Sequence, residues 1–408
     1  MSIFNGWEKR KWGDLATLEY GKGLRDYRNS DGQYPVFGTN GQIGWHHECL
    51  CPFAGVIIGR KGAYRGIHYS NSPFFAIDTA FYLKPIIYGS FCVKWAYYQL
   101  LDFDINKMDS GSAIPSTSRN AFYAIELLFP PLSTQRKIAA ILSAYDDLIE
   151  NNLRRIKILE EMAQNLYREW FVKFRFPGHE QARFVDSPLG RIPEGWEVVT
   201  LGDHLIALEN GKRPKGGAQN ITNGIPSVGA ENIFGIGRHR YQSEKFVSHD
   251  FFDAMRKGIV KNGDVALYKD GAYIGRSSYF RDAFPHTKFC VNEHVFLLRT
   301  TGKRVTQNVL YLWLQEPDTV SEIRANNANA AQPGINQSGV NGLKLIVPPI
   351  EILNYFDATV ELNLATIISL AKKNEIIRRT RDMLLPKLIS GEVDVSDLDI
   401  TIPEEAAA

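Results

Sequence analysis

Apolar residues recur at alternating steps of four and three between about residues 133 and 171, which predicts one long amphipathic helix. This spacing is a heptad seam, and one polar residue, Asn152, lies within it. Pro130 and Pro131 end the preceding segment, and Ser133 can cap the first turn. The predicted seam consists of Ile138, Leu142, Tyr145, Ile149, Asn152, Ile156, Leu159, Ala163, Leu166 and Trp170.

The same pattern returns near the C-terminus, after a second Pro-Pro pair at Pro348-Pro349. The second seam keeps the phase of the first but contains more polar positions. It consists of Phe356, Val360, Asn363, Ile367, Leu370, Asn374, Ile377, Arg381, Leu384 and Leu388. An accidental amphipathic surface helix is the alternative for either segment alone, but the matching flanks argue against it for the pair. The chain is therefore predicted to carry two long helices of matching register.

Four anchors occur twice in the same order, which predicts an internal duplication. The anchors are Gly6-Trp7-Glu8 with Trp12-Gly13-Asp14 against Gly195-Trp196-Glu197 with Leu201-Gly202-Asp203; Glu19-x-Gly21-Lys22 against Glu209-x-Gly211-Lys212; Arg60-Lys61-Gly62-Ala63-Tyr64-x-Gly66 against Lys269-Asp270-Gly271-Ala272-Tyr273-x-Gly275; and Ile114-Pro115-Ser116-Thr117-Ser118 against Pro333-Gly334-Ile335-Asn336-Gln337. Between the anchors, short alternating runs and turn residues are typical of strands joined by tight turns. We predict the α+β class, with two mixed α/β globules that are each followed by a long helix.

The same patterns set the predicted domain boundaries. Prolines and glycines after residue 175 prevent the first helix from continuing, so a linker should follow it. The tail from Gly391 is acidic, and we expect it to be disordered. The predicted segments are globule 1 (1–131), the first helix (132–175), the linker (176–194), globule 2 (195–349), the second helix (350–390) and the tail (391–408).

Composition narrows the class of protein. A chain of 408 residues with 44% hydrophobic residues can form two or three domains with cores of their own. Its net charge of +2 gives only weak support for nucleic-acid binding. No apolar signal region opens the chain, and the longest apolar run, 86–101, is interrupted by Lys94 and is too short to cross a bilayer. A cytoplasmic protein is therefore expected.

The cysteines predict neither a disulfide framework nor a metal centre. Only four are present, at Cys49, Cys51, Cys92 and Cys290, without paired zinc-finger spacing. Cys49-x-Cys51 beside His46 and His47 is a minor alternative as a metal site, because no second ligand pair follows. Five histidines further along the chain also lack metal-ligand spacing: His204, His239, His249, His286 and His294. We expect no bound metal.

Enzyme chemistry is not evident in the sequence. An amino-methyltransferase would place Asn or Asp before Pro-Pro, but Phe129 and Val347 stand there. Neither a G-x-G-x-x-G nor a G-x-x-x-x-G-K-[ST] loop is found, so no nucleotide cofactor is expected. Glu19 and Lys22 have the wrong spacing for a nuclease of the Asp…Glu-x-Lys kind. The chain alone is predicted to be non-catalytic.

Polar and basic loop residues in both repeats instead indicate a binding surface. Arg and Lys can neutralise phosphates or reach guanine edges, whereas Asn and Gln can pair with adenine. Any one of these residues could be an ordinary loop residue, so the prediction depends on their presence in both repeats. The candidates for DNA binding are Lys22, Arg25, Asn40, Gln42, Arg60, Lys61, Tyr64, Ser116, Arg119, Lys212, Arg213, Lys269, Tyr273, Arg276, Asn336 and Gln337.

The repeated pattern resembles the DNA-specificity subunit of type I restriction-modification systems over about residues 7–392. The most specific match is Phe129-Pro130-Pro131-Leu132-Ser133-Thr134-Gln135, at the start of the first helix. Phe37-Gly38-Thr39-Asn40-Gly41 and Met383-Leu384-Leu385-Pro386-Lys387-Leu388-Ile389-Ser390-Gly391-Glu392 are also similar to that family. The second Pro-Pro site lacks the glutamine, which leaves the start of the second helix less well defined.

This resemblance implies a fold and a function. Each globule would be a target-recognition domain that reads one half of a bipartite, asymmetric DNA site. The two helices would pack antiparallel as a coiled-coil spacer in a pseudo-two-fold repeat, set the spacing of the half-sites and dock two modification (methyltransferase) subunits. Restriction/translocase subunits would join the larger complex of a bacterium or archaeon. S-adenosylmethionine, ATP and Mg would be bound by those partners. A duplicated, non-catalytic adaptor that binds protein or another polymer is the alternative.

Overall fold

The chain divides into two units in the computed structural model, which describes residues 6–28, 31–108, 114–217, 221–326 and 334–403. Unit 1 comprises Met1–Ile149 with Ile377–Ala408, and unit 2 comprises Glu150–Ile376. The strands are β1 (Glu8–Lys11), β2 (Ala16–Tyr20), β3 (Tyr34–Gly38), β4 (Gly41–His46), β5 (Gly55–Gly59), β6 (Ile67–Ser70), β7 (Phe75–Ala76), β8 (Ala80–Pro85), β9 (Glu126–Phe129), β10 (Phe184–Ser187), β11 (Gly190–Pro193), β12 (Glu197–Thr200), β13 (Leu205–Asn210), β14 (Ile225–Val228), β15 (Lys245–Val247), β16 (Asp264–Tyr268), β17 (Ser277–Phe280), β18 (Cys290–Val291), β19 (Val295–Thr300) and β20 (Lys344–Val347). The α-helices are α1 (Trp12–Leu15), α2 (Val93–Leu101), α3 (Arg119–Tyr123), α4 (Leu132–Tyr167), α5 (His249–Asp253), α6 (Gln307–Leu314), α7 (Pro317–Ala325), α8 (Gln337–Gly342) and α9 (Ile350–Ile389).

Unit 1 contains three sheets among its described residues. The largest has the order β2-β8-β5-β6, with every neighbouring pair antiparallel. The second has the order β4-β3-β7, in which β3 and β7 are parallel. The third pairs β1 with β9, the strand that precedes α4. The central strand β5 is buried along its whole length, which explains its continuous apolar sequence between two glycines.

Unit 2 repeats this topology strand for strand. Its four-stranded sheet has the order β13-β19-β16-β17, and its three-stranded sheet has the order β15-β14-β18 with β14 and β18 parallel. The pair β12-β20 corresponds to β1-β9. The same order and the same strand directions occur in both units, so the predicted α+β class and internal duplication are confirmed.

The repeated Gly-Asp anchor has a packing function in each unit. A Cβ atom added at Gly13 would lie 2.9 Å from the Cβ of Tyr123 at the end of α3. A Cβ atom added at Gly202 would likewise lie 2.9 Å from the Cβ of Asn341 in α8. Any larger residue would displace the short helix, so glycine sets the position of α3 and α8 relative to the anchor. In unit 1, Trp12 also stacks on Phe122 of α3, with ring centroids 5.8 Å apart.

Both predicted long helices are present. α4 is followed by a π-helical turn at Arg168–Val172, and α9 begins at Ile350 directly after the second Pro-Pro pair.

Gln135, the glutamine of the Phe-Pro-Pro-Leu motif, joins the start of α4 to the neighbouring backbone by hydrogen bonds. Its side chain is buried, donates to the carbonyl of Pro130 at 2.8 Å and accepts from the backbone nitrogen of Cys92 at 2.9 Å. The corresponding residue of α9, Leu353, is also buried, so the second helix starts in the same register with an apolar contact.

The seam residues occupy the interior of the units. In unit 2, Trp170 of the π-helical turn contacts Phe356 with ring centroids 5.5 Å apart, and Asn152 pairs with Asn374, so the two helices run antiparallel there. Within unit 1 the residues Ile138, Leu142 and Ile149 are buried, and Tyr145, Ile377 and Leu384 are half-buried. Within unit 2 the residues Asn152, Ile156, Phe356, Val360, Ile367 and Leu370 are buried, and Leu159 and Leu166 are half-buried.

One position of the second seam differs from the prediction. Leu364 is fully buried, whereas its neighbour Asn363 is only half-buried. A straight helix of 3.6 residues per turn drifts relative to a strict heptad, so the buried stripe moves to the adjacent apolar residue.

The predicted linker and the predicted tail both contain ordered structure. The segment 176–194 forms the β10-β11 hairpin, and Phe176 before it packs on Trp196 with ring centroids 5.2 Å apart. The expected disorder of the tail is wrong for residues 391–403. Val395 is buried in unit 1, and Lys137 Nζ donates to the carbonyl of Ser396 at 2.6 Å. Residues 404–408 lie outside the described residues, as does Pro333 of the fourth anchor.

No helix within the described ranges combines the length and the apolar character that a membrane span requires.

Candidate nucleic-acid interface

A cleft of about 600 Å³ opens in unit 1 where three strands of the largest sheet meet a short helix. Tyr20 at the end of β2 is paired with Phe81 of β8, which is paired in turn with Ile58 of β5. The chain that leaves β5 therefore places Arg60 and Lys61 at the same end of these paired strands as Tyr20. The lining residues are Tyr20, Arg60, Lys61, Phe81, Ile114, Ser116, Thr117, Ser118, Arg119 and Asn120.

Hydrogen bonds hold the segment 116–119, which leads into α3 and closes one side of this cleft. Lys61 forms an isolated antiparallel bridge with Ser116, and the backbone nitrogen of Thr117 donates to the carbonyl of Arg60 at 2.9 Å. Ser118 then caps α3 by accepting from the backbone nitrogen of Ala121 at 3.2 Å. Arg119, the first residue of α3, follows the cap.

Two guanidinium groups lie against the aromatic floor of the cleft. The Cζ atom of Arg60 is 4.7 Å from the ring centre of Tyr20, and that of Arg119 is 5.2 Å from the same ring. Arg60 Nη1 donates to the carbonyl of Asp78 at 2.8 Å. Arg119 Nη2 donates to the hydroxyl of Tyr123 at 3.0 Å, a hydrogen bond that raises the pKa of Arg119. Contact with the rings restricts the conformations of both arginine side chains. Each guanidinium group has five N–H donors, so some remain available to a ligand.

The described lining of this cleft is strongly cationic. Besides Arg60 and Arg119 it includes Lys61, which is exposed, and none of its described lining residues is acidic. A phosphate or the acceptor-rich edge of guanine is the chemistry that such a surface complements.

A cleft of about 560 Å³ occupies the equivalent place in unit 2. Its lining residues are Asn210, Lys269, Asp270, Phe296, Gly334, Ile335, Asn336, Gln337 and Ser338. Asp270 forms an isolated antiparallel bridge with Gly334, and the backbone nitrogen of Ile335 donates to the carbonyl of Lys269 at 3.0 Å. Asn336 caps α8 by accepting from the backbone nitrogen of Gly339 at 2.8 Å. Each of these contacts has its counterpart in unit 1.

These contacts correct the alignment of the fourth anchor by one residue. The sequence comparison placed Ser118 opposite Gln337, but both cap positions show that Ser118 corresponds to Asn336. Ser116 therefore corresponds to Gly334, and Arg119 corresponds to Gln337.

The two clefts share a frame but differ in chemistry. In unit 2, Lys269 Nζ lies 2.8 Å from Asp270 Oδ2, and His294 Nδ1 lies 2.8 Å from the same oxygen. Asn210 and Gln337 replace Tyr20 and Arg119 of unit 1, and Gln337 Nε2 donates to the carbonyl of Leu208 at 3.0 Å. The cleft of unit 2 is thus lined by amides and a paired lysine, which suits a ligand that offers both donors and acceptors.

The same duplication is detected by comparison with known proteins. The model of the type I restriction modification DNA specificity domain matches residues 5–161 and 193–372. The chain belongs to this family of type I specificity domains. The resemblance inferred from the sequence motifs is therefore confirmed.

Relatives within the type I specificity family include two proteins of Methanocaldococcus jannaschii. The type I restriction enzyme MjaIX specificity subunit is 27% identical over 299 residues, which cover 72% of this chain and 66% of that protein. The MjaVIII specificity subunit is 24% identical over 311 residues, which cover 72% of this chain and 68% of that protein. The chain spans about two thirds of the length of these curated relatives.

The fold is also found in a solved structure. The crystal structure of the type I restriction-modification system S subunit from M. genitalium superposes with a TM-score of 0.58 at 16% identity and covers 98% of this chain and 99% of that chain. At this level of identity the likeness establishes the specificity-subunit fold.

Several predicted DNA-binding residues lie outside the lining of the clefts. In unit 1, Lys22 and Arg25 are exposed on the loop after β2, and Tyr64 is 81% exposed. Asn40 and Gln42 are exposed at the β3-β4 turn, where the amide of Asn40 lies 2.6 Å from the carbonyl oxygen of Tyr64 in the orientation that lets its nitrogen donate. These residues form polar loops that are separate from the lining of the cleft.

In unit 2, Lys212 and Arg213 are exposed on the loop after β13, and Arg213 Nε lies 3.1 Å from Glu293 Oε1. The Cζ atom of Arg276 lies 3.9 Å from the ring centre of Tyr273, which is 47% exposed. An arginine stacked on an exposed tyrosine presents a flat cationic surface on this loop.

Sequence analysis did not single out four residues that line the clefts, namely Tyr20, Phe81, Asn210 and Phe296. Tyr20 and Asn210 occupy the variable position of the Glu-x-Gly-Lys anchor, so the difference between the two copies of that anchor was a usable signal. Phe81 and Phe296 lie in apolar strands and cannot be distinguished from core residues by pattern alone.

Proposed function

We propose that this chain is the sequence-specific DNA-binding subunit of a type I restriction-modification complex. Membership of the specificity-domain family and the two equivalent clefts support the proposal. The observation that carries it is that one frame occurs twice with different side chains at the same positions: Tyr20, Lys61 and Arg119 against Asn210, Asp270 and Gln337. A duplicated frame with divergent lining suits a protein that reads two different half-sites of one bipartite, asymmetric target.

The chemistry of each cleft agrees with recognition of double-stranded DNA. The arginines of unit 1 can donate to two acceptors at once, as guanine O6 and N7 or a phosphate require. The amides of unit 2 offer the paired donor and acceptor that adenine requires. The exposed basic loop residues, among them Lys22, Arg25 and Lys212, supply sequence-independent contacts to the DNA backbone.

The long helices present apolar side chains to solvent, which supports a role in docking partner proteins. Within unit 2, Ile158 is 54% exposed and Met162 is 53% exposed on α4, and Leu362 is 73% exposed and Ile376 is 66% exposed on α9. Ile158 and Met162 are one helical turn apart on α4, and neighbouring exposed apolar side chains of this kind favour an interaction surface. In this proposal the partners are two modification (methyltransferase) subunits, and restriction/translocase subunits join the larger complex.

The reaction chemistry belongs to those partners in this proposal. S-adenosylmethionine would be bound by the modification subunits, and ATP and Mg by the restriction/translocase subunits. This chain would select the site, and the purified chain alone should neither methylate nor cleave DNA.

The proposal is tested with the chain assembled with the modification subunits of its own host. Sequencing of methylated positions in host DNA should give a split motif with two unlike halves. Gel-shift titration of the complex should then show tight binding to that motif, weaker binding when either half is scrambled, and affinity that falls as salt increases. Equal binding to motif and randomised duplex, or binding without salt dependence, would favour the adaptor alternative. Methyl transfer by the chain without its partners would contradict a non-catalytic role.

A further inference from the structure

Three side chains in unit 2 converge at a place where the recognition function assigns no role. His239, Glu244 and His286 each present a possible metal ligand, and their ligand atoms lie within 4.8 Å of one another. Within the part of the chain that the structure describes, this is the one group of three or more His, Cys, Asp or Glu residues that meets this criterion. The cysteine and histidine residues weighed from the sequence, at 46–51, do not form such a group there.

Both imidazole rings are directed at the same carboxylate oxygen. His239 Nε2 lies 2.5 Å from Glu244 Oε1, and His286 Nε2 contacts the same atom. The two rings are almost perpendicular, at 89°, with centroids 5.5 Å apart. Two imidazoles that each bind one tetrahedral zinc ion at about 2.0–2.1 Å have ring centres roughly 5 Å apart. Only small side-chain shifts are therefore needed to place one ion between the three ligand atoms.

The site is largely shielded from water and has one open side. The side chain of His239 is 1% exposed and that of Glu244 is 9% exposed, whereas His286 is 21% exposed. Tyr241 packs edge-on against both imidazoles, with centroids 4.7 Å from His239 and 5.8 Å from His286. Phe289 packs against His286 at 6.1 Å. The aromatic rings exclude competing water, and the His286 side leaves a path for an ion.

The carboxylate of Glu244 and the imidazole of His239 are both buried at this site. Among the described residues, His239 Nδ1 is buried without a hydrogen-bond partner. A buried carboxylate oxygen that faces two imidazole nitrogens gathers three possible ligand atoms for one cation.

We propose that His239, Glu244 and His286 bind one divalent transition-metal ion, with zinc as the best match. Two imidazole nitrogens and one carboxylate oxygen form a ligand set that zinc accepts, and a water molecule can fill the fourth position on the open side. The ion would join the segment around Tyr241 to the loop between β17 and β18. Tyr241 in turn donates to Glu375 of α9 at 2.5 Å, so the bound ion would also fix a contact between this segment and the long helix.

The spacing of the three residues along the chain does not predict this site. His239 and Glu244 are 5 residues apart, and Glu244 and His286 are 42 residues apart. The sequence contains no closely spaced pair of metal ligands at this site. The packing of two loops brings the three side chains together.

Zinc binding by the full-length chain, prepared without a histidine tag and stripped with a chelator, tests the proposal. Titration of Zn²⁺ against a chromophoric competitor should give one high-affinity ion per chain. Glu244→Gln keeps the shape of the side chain but removes its charge, and His286→Gln removes the most exposed ligand; each should weaken zinc binding at least tenfold. Zinc should raise the melting temperature of the wild-type chain and should raise it less in both variants.

Matched variants separate this site from other zinc-binding groups. His249→Gln removes an exposed histidine of the same unit, and Cys49→Ser removes the partly buried thiol near His46 and His47. Both should bind zinc as the wild type does. Co²⁺ in place of zinc should give the visible absorption of a tetrahedral N/O site in the wild type. This absorption should be lost in Glu244→Gln and in His286→Gln. A wild-type chain that binds no zinc at micromolar free concentration, or full binding by Glu244→Gln and His286→Gln, would overturn the proposal.

Discussion

The side-chain amide of Asn152 donates a hydrogen bond to the amide oxygen of Asn374, 2.8 Å away, within the apolar seam of α4 and α9 in unit 2. Both residues are buried, at 4% and 3% exposure. A buried amide is satisfied only when a polar partner faces it, so this pair favours one register of the two helices over those displaced along the seam. The two asparagines do not occupy equivalent positions in the two repeats, because Asn152 corresponds to Leu370 and Asn374 corresponds to Ile156. The antiparallel arrangement of the helices brings them together.

The first prediction concerns this pair. Asn152→Leu should lower the free energy of unfolding by about 1–3 kcal/mol, because it leaves the amide of Asn374 buried without this partner. Adding Asn374→Leu should restore most of the loss, since two leucines fit an apolar seam. Urea unfolding of the two single variants and the double variant measures the coupling. The exposed neighbour Asn151→Ala is the control, and additive losses in the double variant would show that the amides do not act as a pair.

The second prediction concerns the glutamine at the start of α4. Gln135→Leu should lower the free energy of unfolding by about 1–3 kcal/mol, because the buried carbonyl of Pro130 and the backbone nitrogen of Cys92 both lose a hydrogen bond. The reciprocal change Leu353→Gln should also destabilise the chain, since it places an amide in a fully buried apolar position. Chemical denaturation measures both effects. Ser133→Ala should change stability by less than about 0.5 kcal/mol, because Ser133 is exposed and lies inside α4, which begins at Leu132, and so is not the helix cap predicted from the sequence.

The third prediction assigns the two clefts to different half-sites. Arg60→Ala in the assembled complex should weaken binding to one half of the target by about 1–3 kcal/mol if the lost guanidinium contacts a base edge. Lys269→Ala should act on the other half. Binding titrations against duplexes mutated in one half at a time measure this, and sequencing of methylated sites shows whether specificity relaxes on one side.

Arg191→Ala, in the exposed β10-β11 hairpin, is the matched control for loss of a positive charge. A loss from Arg60→Ala that is uniform across random duplexes would identify a phosphate contact. No change in either variant would show that the cleft residues do not contact DNA.

The fourth prediction concerns pH. Hydrogen bonds from Arg281 lower the pKa of Glu361 from its ordinary value of 4.5, so the folded state favours the carboxylate. The stabilisation should be fully present above about pH 4.5 and should be lost as pH falls through the lower, folded pKa. Glu361→Gln should therefore destabilise the chain at pH 6 by more than at pH 3.5 in urea unfolding experiments. Arg281→Met should abolish this pH-dependent difference, and a difference that persists in that background would have another source.

The sequence determined the long helices, the duplication and the class of protein. Heptad spacing is a local property, because it follows from 3.6 residues per turn and the burial of one face, and it is therefore readable without a structure. The duplication is readable because anchors such as Gly13 and Gly202 occupy positions where only glycine fits. The Phe-Pro-Pro-Leu start and its buried Gln135 combine several such constraints in a few residues, which made the family recognisable.

Tertiary structure alone decided which polar residues meet. Strand pairing brings Tyr20 to Phe81, and the bridge from Lys61 to Ser116 then places Arg119 over the ring of Tyr20. The packing of two loops brings His286 to Glu244, and the buried Val395 orders a tail whose composition predicted disorder. Each of these contacts joins residues far apart in the chain, and their stability depends on the surrounding core and not on any local periodicity. A pattern of neighbours along the chain therefore identifies helices and repeats, whereas the chemistry of a cleft exists only after the strands have paired.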